Sequence, residues 1–370
     1  MNYDEFLKSE PYSMDHGEKH RELTEILKQL TIEHMDKCPE YKQILSINGI
    51  KDHEDVEKIS SYEDIPFLPV RMFKEYELKS IADEDVVKKM TSSGTTGQSV
   101  SRIYLDRETS ASQQKVMTRI VSDFIGKKRL PMIILDTRAI LKDRNAFSAR
   151  GAGILGFSMF GRDRIYALDE EMNLDLRGLR EFLKKHEGED IFLFGFTFMI
   201  WQHFYQRMLE LDISERPDLS RGVLIHGGGW KKLQSEAVSP EAFKDALHSV
   251  CGISRNRIYD YYGMVEQTGT IYMECEYGHL HTSNFSDVII RDPEDWSVQP
   301  IGEKGIVEVV SSLPKSYPGH VLLTEDEGYI EGEDDCPCGR KGKYFRIIGR
   351  IKNAEIRGCS DTYADKISRK

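Results

Sequence analysis

The stretch Lys89–Asp106, KMTSSGTTGQSVSRIYLD, places five hydroxyl side chains and two glycines between Thr91 and Gly97. A flexible linker has this composition, and so does a loop that cradles an anion with its backbone N–H groups. The residues that follow, DRETSASQQKVMTRIVSDFIG, contain no proline and many good helix formers, so a helix is predicted to follow the loop. The stretch lacks the G-x-x-x-x-G-K-[ST] spacing, which excludes a Walker-type phosphate loop. A Ser/Thr/Gly run by itself is more often a surface turn. The rest of the chain must decide which it is.

The chain has 370 residues, 39% hydrophobic and 31% charged, enough for a large core in one big domain or two smaller ones. A net charge of -11 and a pI near 5.6 argue against a nucleic-acid partner, because binding a polyanion needs a basic surface. The opening MNYDEFLKSEP has no apolar core, and no window approaches the run of about 18 apolar residues that crossing a bilayer requires. The expectation is a cytoplasmic protein without a transmembrane segment. Of six cysteines, Cys38 and Cys251 stand alone, while Cys275, Cys336, Cys338 and Cys359 crowd the last quarter. Clustered cysteines in a cytosolic chain point to metal or to chemistry.

Apolar residues recur at helical spacing from Glu18 to Cys38 (Leu23, Ile26, Leu27, Leu30, Ile32), ahead of a connector that includes IPFLPVRMFKEYEL. In the middle, LPMIILDT, DIFLFGF, RGVLIHGGGW and NRIYDYYG alternate with amphipathic segments such as LDLRGLREFLKKH and FMIWQHFYQRMLEL. Strands interleaved with helices predict βαβ units and a mainly parallel sheet flanked by helices. Past Glu266, FSDVIIRDP, KGIVEVVSS and GHVLLTEDEGYI are short, β-rich and separated by turn residues, as in antiparallel hairpins. The expected division is a helical entry segment and connector over 1–80, an α/β nucleotide-binding core over 81–265, a β-rich subdomain over 266–347, and a hinge and tail over 348–370.

Gly227, Gly228 and Gly229 close an apolar strand, where open α/β sheets place their ligands; a tight structural turn is the plainer reading. Cys275, His279, His281, Cys336 and Cys338 supply thiol and imidazole groups in two compact knuckles, CEYGHLH and CPCGR, the format of a closed structural zinc site. Unliganded buried cysteines are the alternative. Cys359 lies between Arg357 and Asp361, whose effects on a thiol roughly offset, so local chemistry alone makes it inert.

TSSGTTG resembles the phosphate-binding motif of the acyl-adenylate-forming superfamily, and three further motifs follow in that family's order. DYYGMVEQTG resembles its aromatic-Gly-x-[ST]-Glu motif, which implies Tyr262 against adenine, Gly263 beside it and Glu266 on magnesium. LLTEDEG resembles its ribose motif, implying Asp326, and IIGRIKNAEIRG its hinge motif, implying Arg350. The resemblance implies an α/β fold: an adenylate-forming N-terminal domain with parallel sheets flanked by helices, a small β-rich subdomain and a truncated C-terminal domain. The physics agrees, since joining a carboxylate to the α-phosphate of ATP needs fixed N–H donors, a divalent cation and an acidic ligand for it.

The knuckles resemble those of the phenylacetate-CoA-ligase branch, which implies structural zinc on Cys275, His281, Cys336 and Cys338, with His279 in reserve. DIPFLPVRMFK, TSSGT, GGGWK and a cysteine just past the hinge resemble the LuxE-type acyl-protein synthetases. That resemblance implies ATP, magnesium, a fatty-acid substrate, Cys359 as acyl acceptor and an acyl reductase or other protein as partner. Two departures stand out: the hinge is one residue short, and the superfamily's C-terminal lysine is missing, with Lys231, Lys232 and Lys366 as candidate replacements. Rival readings are an AMP-forming acyl- or aryl-CoA ligase, in which Cys359 is irrelevant, and a non-catalytic zinc-stabilised scaffold. Phe196, Phe198 and Trp201 could line an acyl pocket or belong to the core.

Overall fold

The computed structural model describes residues 1–92, 100–141, 149–230 and 235–351. They fall into two compact units. The first takes Met1–Ile120, Gly263–Tyr272 and His279–Lys370; the second takes Val121–Tyr262 with Met273–Gly278.

The second unit is built on a parallel sheet whose strands run in the order Ile258–Tyr262, Gly222–Gly227, Ile191–Phe196, Leu130–Thr137, Gly161–Leu168. IFLFGF and GVLIHG are buried at every position. Parallel strands covered on both faces carry no polar alternation, which is why these runs are apolar throughout. The helix Leu176–Lys185 starts on the Asp175 carboxylate, which accepts from the Gly178 amide at 2.9 Å, and turns Leu179 and Phe182 inward. The helix Pro240–Cys251 is capped by Ser239 and ends at Gly252, whose φ of +78° suits glycine. Leu193, Ile200, Phe204, Leu224, Phe243, Leu247 and Ile258 share one core. The predicted helix around FMIWQHFYQRMLEL contains a π-helical stretch at Ile200–Tyr205.

The first unit holds an antiparallel sheet in the order Ser286–Arg291, Gly305–Ser311, Val321–Glu333, Lys343–Arg350, Leu280–His281. Leu68–Pro69, from the connector, lies parallel beside Val321–Glu333. The helix His16–Lys37 begins at the Asp15 side chain and buries Leu23, Ile26, Leu27 and Leu30. The helix expected after the glycine-rich loop is Arg107–Ile125; between the two stands a strand, Arg102–Leu105, that pairs antiparallel with Lys88–Thr91. The loop therefore closes a hairpin, and the helix starts only after Asp106 has capped it by accepting from the Thr109 amide at 2.7 Å. No helix of the described residues is long and apolar enough to cross a membrane.

The same N-terminal helix buries His34 completely. Its Nε2–H donates to the Pro314 carbonyl at 2.9 Å, so Nδ1 accepts from the Ser80 hydroxyl at 2.8 Å and the ring is neutral. Burial lowers its pKa to about 3. His320, with its ring centroid 5.0 Å away, is also driven well below the ordinary histidine value by burial. Folded-state values below the unfolded one mean stability that is present above about 6.5 and lost as pH falls below it, at up to about 1.4 kcal/mol per pH unit for each ring. Denaturant midpoints should thus decline between pH ~7.5 and ~5, and His34→Gln, less stable at neutral pH, should show a shallower decline.

Candidate functional site

Of the glycine-rich loop, Thr91 and Ser92 are described; Ser93, Gly94, Thr95, Thr96 and Gly97 lie outside the described residues. Thr91 is the last paired residue of its strand, opposite Arg102. Two bonds close the loop's base: the Ser92 amide donates to the Ser101 carbonyl at 3.2 Å, and the Ser101 amide to the Ser92 hydroxyl at 2.9 Å.

Glu266 belongs to the same unit, in a single 3-10 turn, Val265–Gln267, and is only 6% exposed. Burial raises its pKa, against the opposing effects of the Ser101 hydroxyl and the Lys74 and Arg350 charges. Among the described residues no cation comes within ion-pairing distance of it. The turn itself is pinned from outside: the Tyr317 hydroxyl donates to the Glu266 carbonyl at 2.9 Å, and Gln267 Nε2 donates to the carbonyls of Val309 at 3.0 Å and Gly319 at 2.9 Å.

Asp326 and Arg350, distant in sequence, are direct partners across the antiparallel pair Val321–Glu333 and Lys343–Arg350. Residues paired in this way share one face of the sheet. Arg350 also lies 3.5 Å from Glu325, with its side chain 70% exposed.

In the second unit, Gly227 ends its strand, and Gly228 and Gly229 have φ of +79° and +61°. A Cβ on Gly227 would fall 2.5 Å from the Tyr261 ring, and one on Gly228 would fall 2.8 Å from Phe196, so close packing as well as backbone conformation demands glycine here. Tyr262 closes the strand Ile258–Tyr262, and Gly263 opens the next segment of the first unit. His226, which carries no role in the sequence reading, is buried with Nδ1 3.0 Å from the Thr197 hydroxyl and its pKa is lowered to about 3 by burial. Its place directly before three glycines was the available signal. Phe196 is in the core, 6% exposed, while Trp201 packs against the core cluster from its edge.

The cysteines and histidine expected to hold zinc are brought together. The ligand atoms of Cys275, His281, Cys336 and Cys338 all lie within 4.8 Å of one another. His281 Nε2 is 3.4 Å from Cys338 Sγ. Two ligands at zinc-like bond lengths and a tetrahedral angle stand about 3.6 Å apart, so the spacing suits such an ion. Both knuckles are local turns closed by glycine: Gly278 donates to the Cys275 carbonyl at 2.9 Å and Gly339 to that of Cys336 at 3.0 Å, with φ of +84° and +80°. Burial lowers the His281 pKa to about 3, leaving a neutral imidazole, the form that binds metal. His279 is outside this group of four, although its Nδ1 is 3.3 Å from Cys336 Sγ and its ring stacks on Tyr344. Cys359, Lys231, Lys232 and Lys366 lie outside the described residues.

The family model described as acyl-protein synthetase, LuxE, matches residues 2–368. Two curated relatives bear the name long-chain-fatty-acid–luciferin-component ligase. The one from Aliivibrio fischeri is 22% identical over 347 residues, 91% of this chain and 86% of that one. The one from Vibrio harveyi is 23% identical over 342 residues, 88% and 83% of the two chains. Among solved structures, an open conformation of 2-hydroxyisobutyryl-CoA ligase in complex with 2-HIB-AMP and CoA aligns with a TM-score of 0.66 at 16% identity, over 92% of this chain and 77% of that one, a likeness of fold. With a parallel sheet, an antiparallel sheet and nearly every residue inside the matched span, the chain belongs to the LuxE family of acyl-protein synthetases and is a ligase.

Proposed function

We propose that this ligase uses ATP and magnesium to join a carboxylic acid, a fatty acid in keeping with the names of its relatives, to AMP. It then moves the acyl group to Cys359 and on to an acyl reductase or other cytoplasmic partner protein. In the first step a carboxylate oxygen bonds to the α-phosphorus and pyrophosphate leaves; in the second the Cys359 thiolate attacks the acyl carbon and AMP leaves.

The observation that carries this reading is the buried Glu266 carboxylate, which has no cation at ion-pairing distance among the described residues. A buried ionised carboxylate costs several kcal/mol unless paired, and a magnesium ion bound with the nucleotide would supply the missing charge. Thr91 to Gly97 would hold the phosphates, Tyr262 and Gly263 would face adenine, Gly227 to Gly229 would form part of the nucleotide wall, and Asp326 with Arg350 would bind the ribose. Cys275, His281, Cys336 and Cys338 would hold a zinc ion; four protein ligands leave it no open position, so its contribution is to folding.

Four outcomes test this reading. Intact-protein mass after incubation with ATP, magnesium and a panel of fatty and aromatic acids should show an ATP-dependent acyl increment that hydroxylamine removes. Cys359→Ser should lose that increment while keeping acid-dependent ATP–pyrophosphate exchange; exchange with acylation of CoA and no protein adduct would assign a CoA ligase instead. Glu266→Gln should lower the exchange rate by roughly 100-fold or more while the protein stays folded. Purified protein should carry about one zinc per chain by elemental analysis, and Cys336→Ser or Cys338→Ser should lose it and lower Tm by roughly 5 °C or more.

A further inference from the structure

The connection 312–320, between the strands Gly305–Ser311 and Val321–Glu333, is buried except at Lys315. Connections normally run over the surface, because a buried one must find partners for its backbone. This one finds them in several distant segments. The Ser80 amide donates to the Ser316 carbonyl at 2.8 Å, the Ser316 hydroxyl donates to the Tyr104 carbonyl at 2.9 Å, and His34 holds Pro314.

At its centre Tyr317, wholly buried, packs edge-on to Phe73 and donates its hydroxyl hydrogen to the carbonyl of Glu266. Gln113, also buried, donates its side-chain amide to the same hydroxyl at 3.4 Å, from the helix that follows the glycine-rich hairpin. Two glycines permit this approach. A Cβ on Gly319 would lie 2.2 Å from the Tyr317 ring and 2.9 Å from the Glu266 carbonyl oxygen. One on Gly269, at φ +100°, would lie 2.7 Å from the Gln113 backbone.

We propose that Tyr317 is a positioning residue for Glu266, with Gln113 orienting its hydroxyl, so that the carboxylate is fixed relative to the helix that starts after the phosphate-loop hairpin. The inference rests on the reading of Glu266 as a magnesium ligand. A phenylalanine would fill the same space; the hydroxyl adds a bond to the main chain of Glu266 itself, next to the Cα from which its side chain departs. Magnesium demands near-ideal octahedral geometry at short distances, so a small drift of one ligand is felt in metal affinity.

The test is the magnesium dependence of acid-dependent ATP–pyrophosphate exchange in full-length protein, with Tm and zinc content measured alongside. Tyr317→Phe should raise the half-saturating magnesium concentration about five- to tenfold, leave the KM for the acid unchanged, and recover most of its rate at high magnesium. Gln113→Met should give a smaller rise, and the double variant should match Tyr317→Phe alone, because Gln113 acts through the hydroxyl. An unchanged magnesium requirement in Tyr317→Phe, whether or not Tm falls, overturns the proposal. Should that variant not fold, an unchanged requirement in Gln113→Met does the same. An unchanged requirement in Glu266→Gln would instead remove the magnesium reading of Glu266 itself.

Discussion

The Asp287 carboxylate, 2% exposed, holds the first unit together at one point. Burial alone would raise its pKa, yet Lys19 at 3.4 Å, Lys343 at 3.8 Å and the Tyr62 hydroxyl at 2.6 Å outweigh that and keep it ionised, below the usual carboxylate range. These groups come from the N-terminal helix, the connector and two strands of the antiparallel sheet. Such a network is costly to break one partner at a time, roughly 3–5 kcal/mol, because each removal strands a buried charge. Lys19 also donates to Thr282 at 2.7 Å, the residue after His281. The strand that Lys343 opens ends at Arg350, across from Asp326. The residue after His281 and the strand that carries Arg350 thus both meet one buried ionic centre.

Much of the architecture was legible because burial writes itself into sequence. IFLFGF and GVLIHG announce strands covered on two faces, and the alternation of such runs with amphipathic helices announces a parallel order. The knuckles were legible for a different reason: each is a local turn whose cysteine and glycine fall within four residues. The pairing of the strands Leu280–His281 and Lys343–Arg350, which sets His281 opposite Tyr344, is not encoded in spacing.

Less was legible where the deciding contact is distant. Lys88–Thr91 shows no alternation of burial, and its pairing with Arg102–Leu105 is made across a loop whose composition suggests a linker or an anion cradle but no strand pair. KSYPGH has the look of a surface turn, yet Tyr317 is wholly buried, since its partner Glu266 is 51 residues away and Gln113 is 204. Glu266 itself could be singled out from its motif, but not its burial, which depends on that same connection. The motif around it also straddles the two units, with Tyr262 in one and Gly263 in the other.

The buried contact between Thr31 and His320, 289 residues apart, has a consequence during synthesis. Most of the second unit is one continuous stretch, Val121–Tyr262, and can fold soon after it leaves the ribosome. The N-terminal helix meets Pro39–Ile47 and His53–Glu57 early, but Thr31 and His34 cannot pair with His320 and Pro314 until those residues are made. At 5–20 residues per second, those two polar groups wait about fifteen to sixty seconds for their partners. In that interval the His34 ring lacks the Pro314 carbonyl that fixes it, so a helix made early is among the last to be completed.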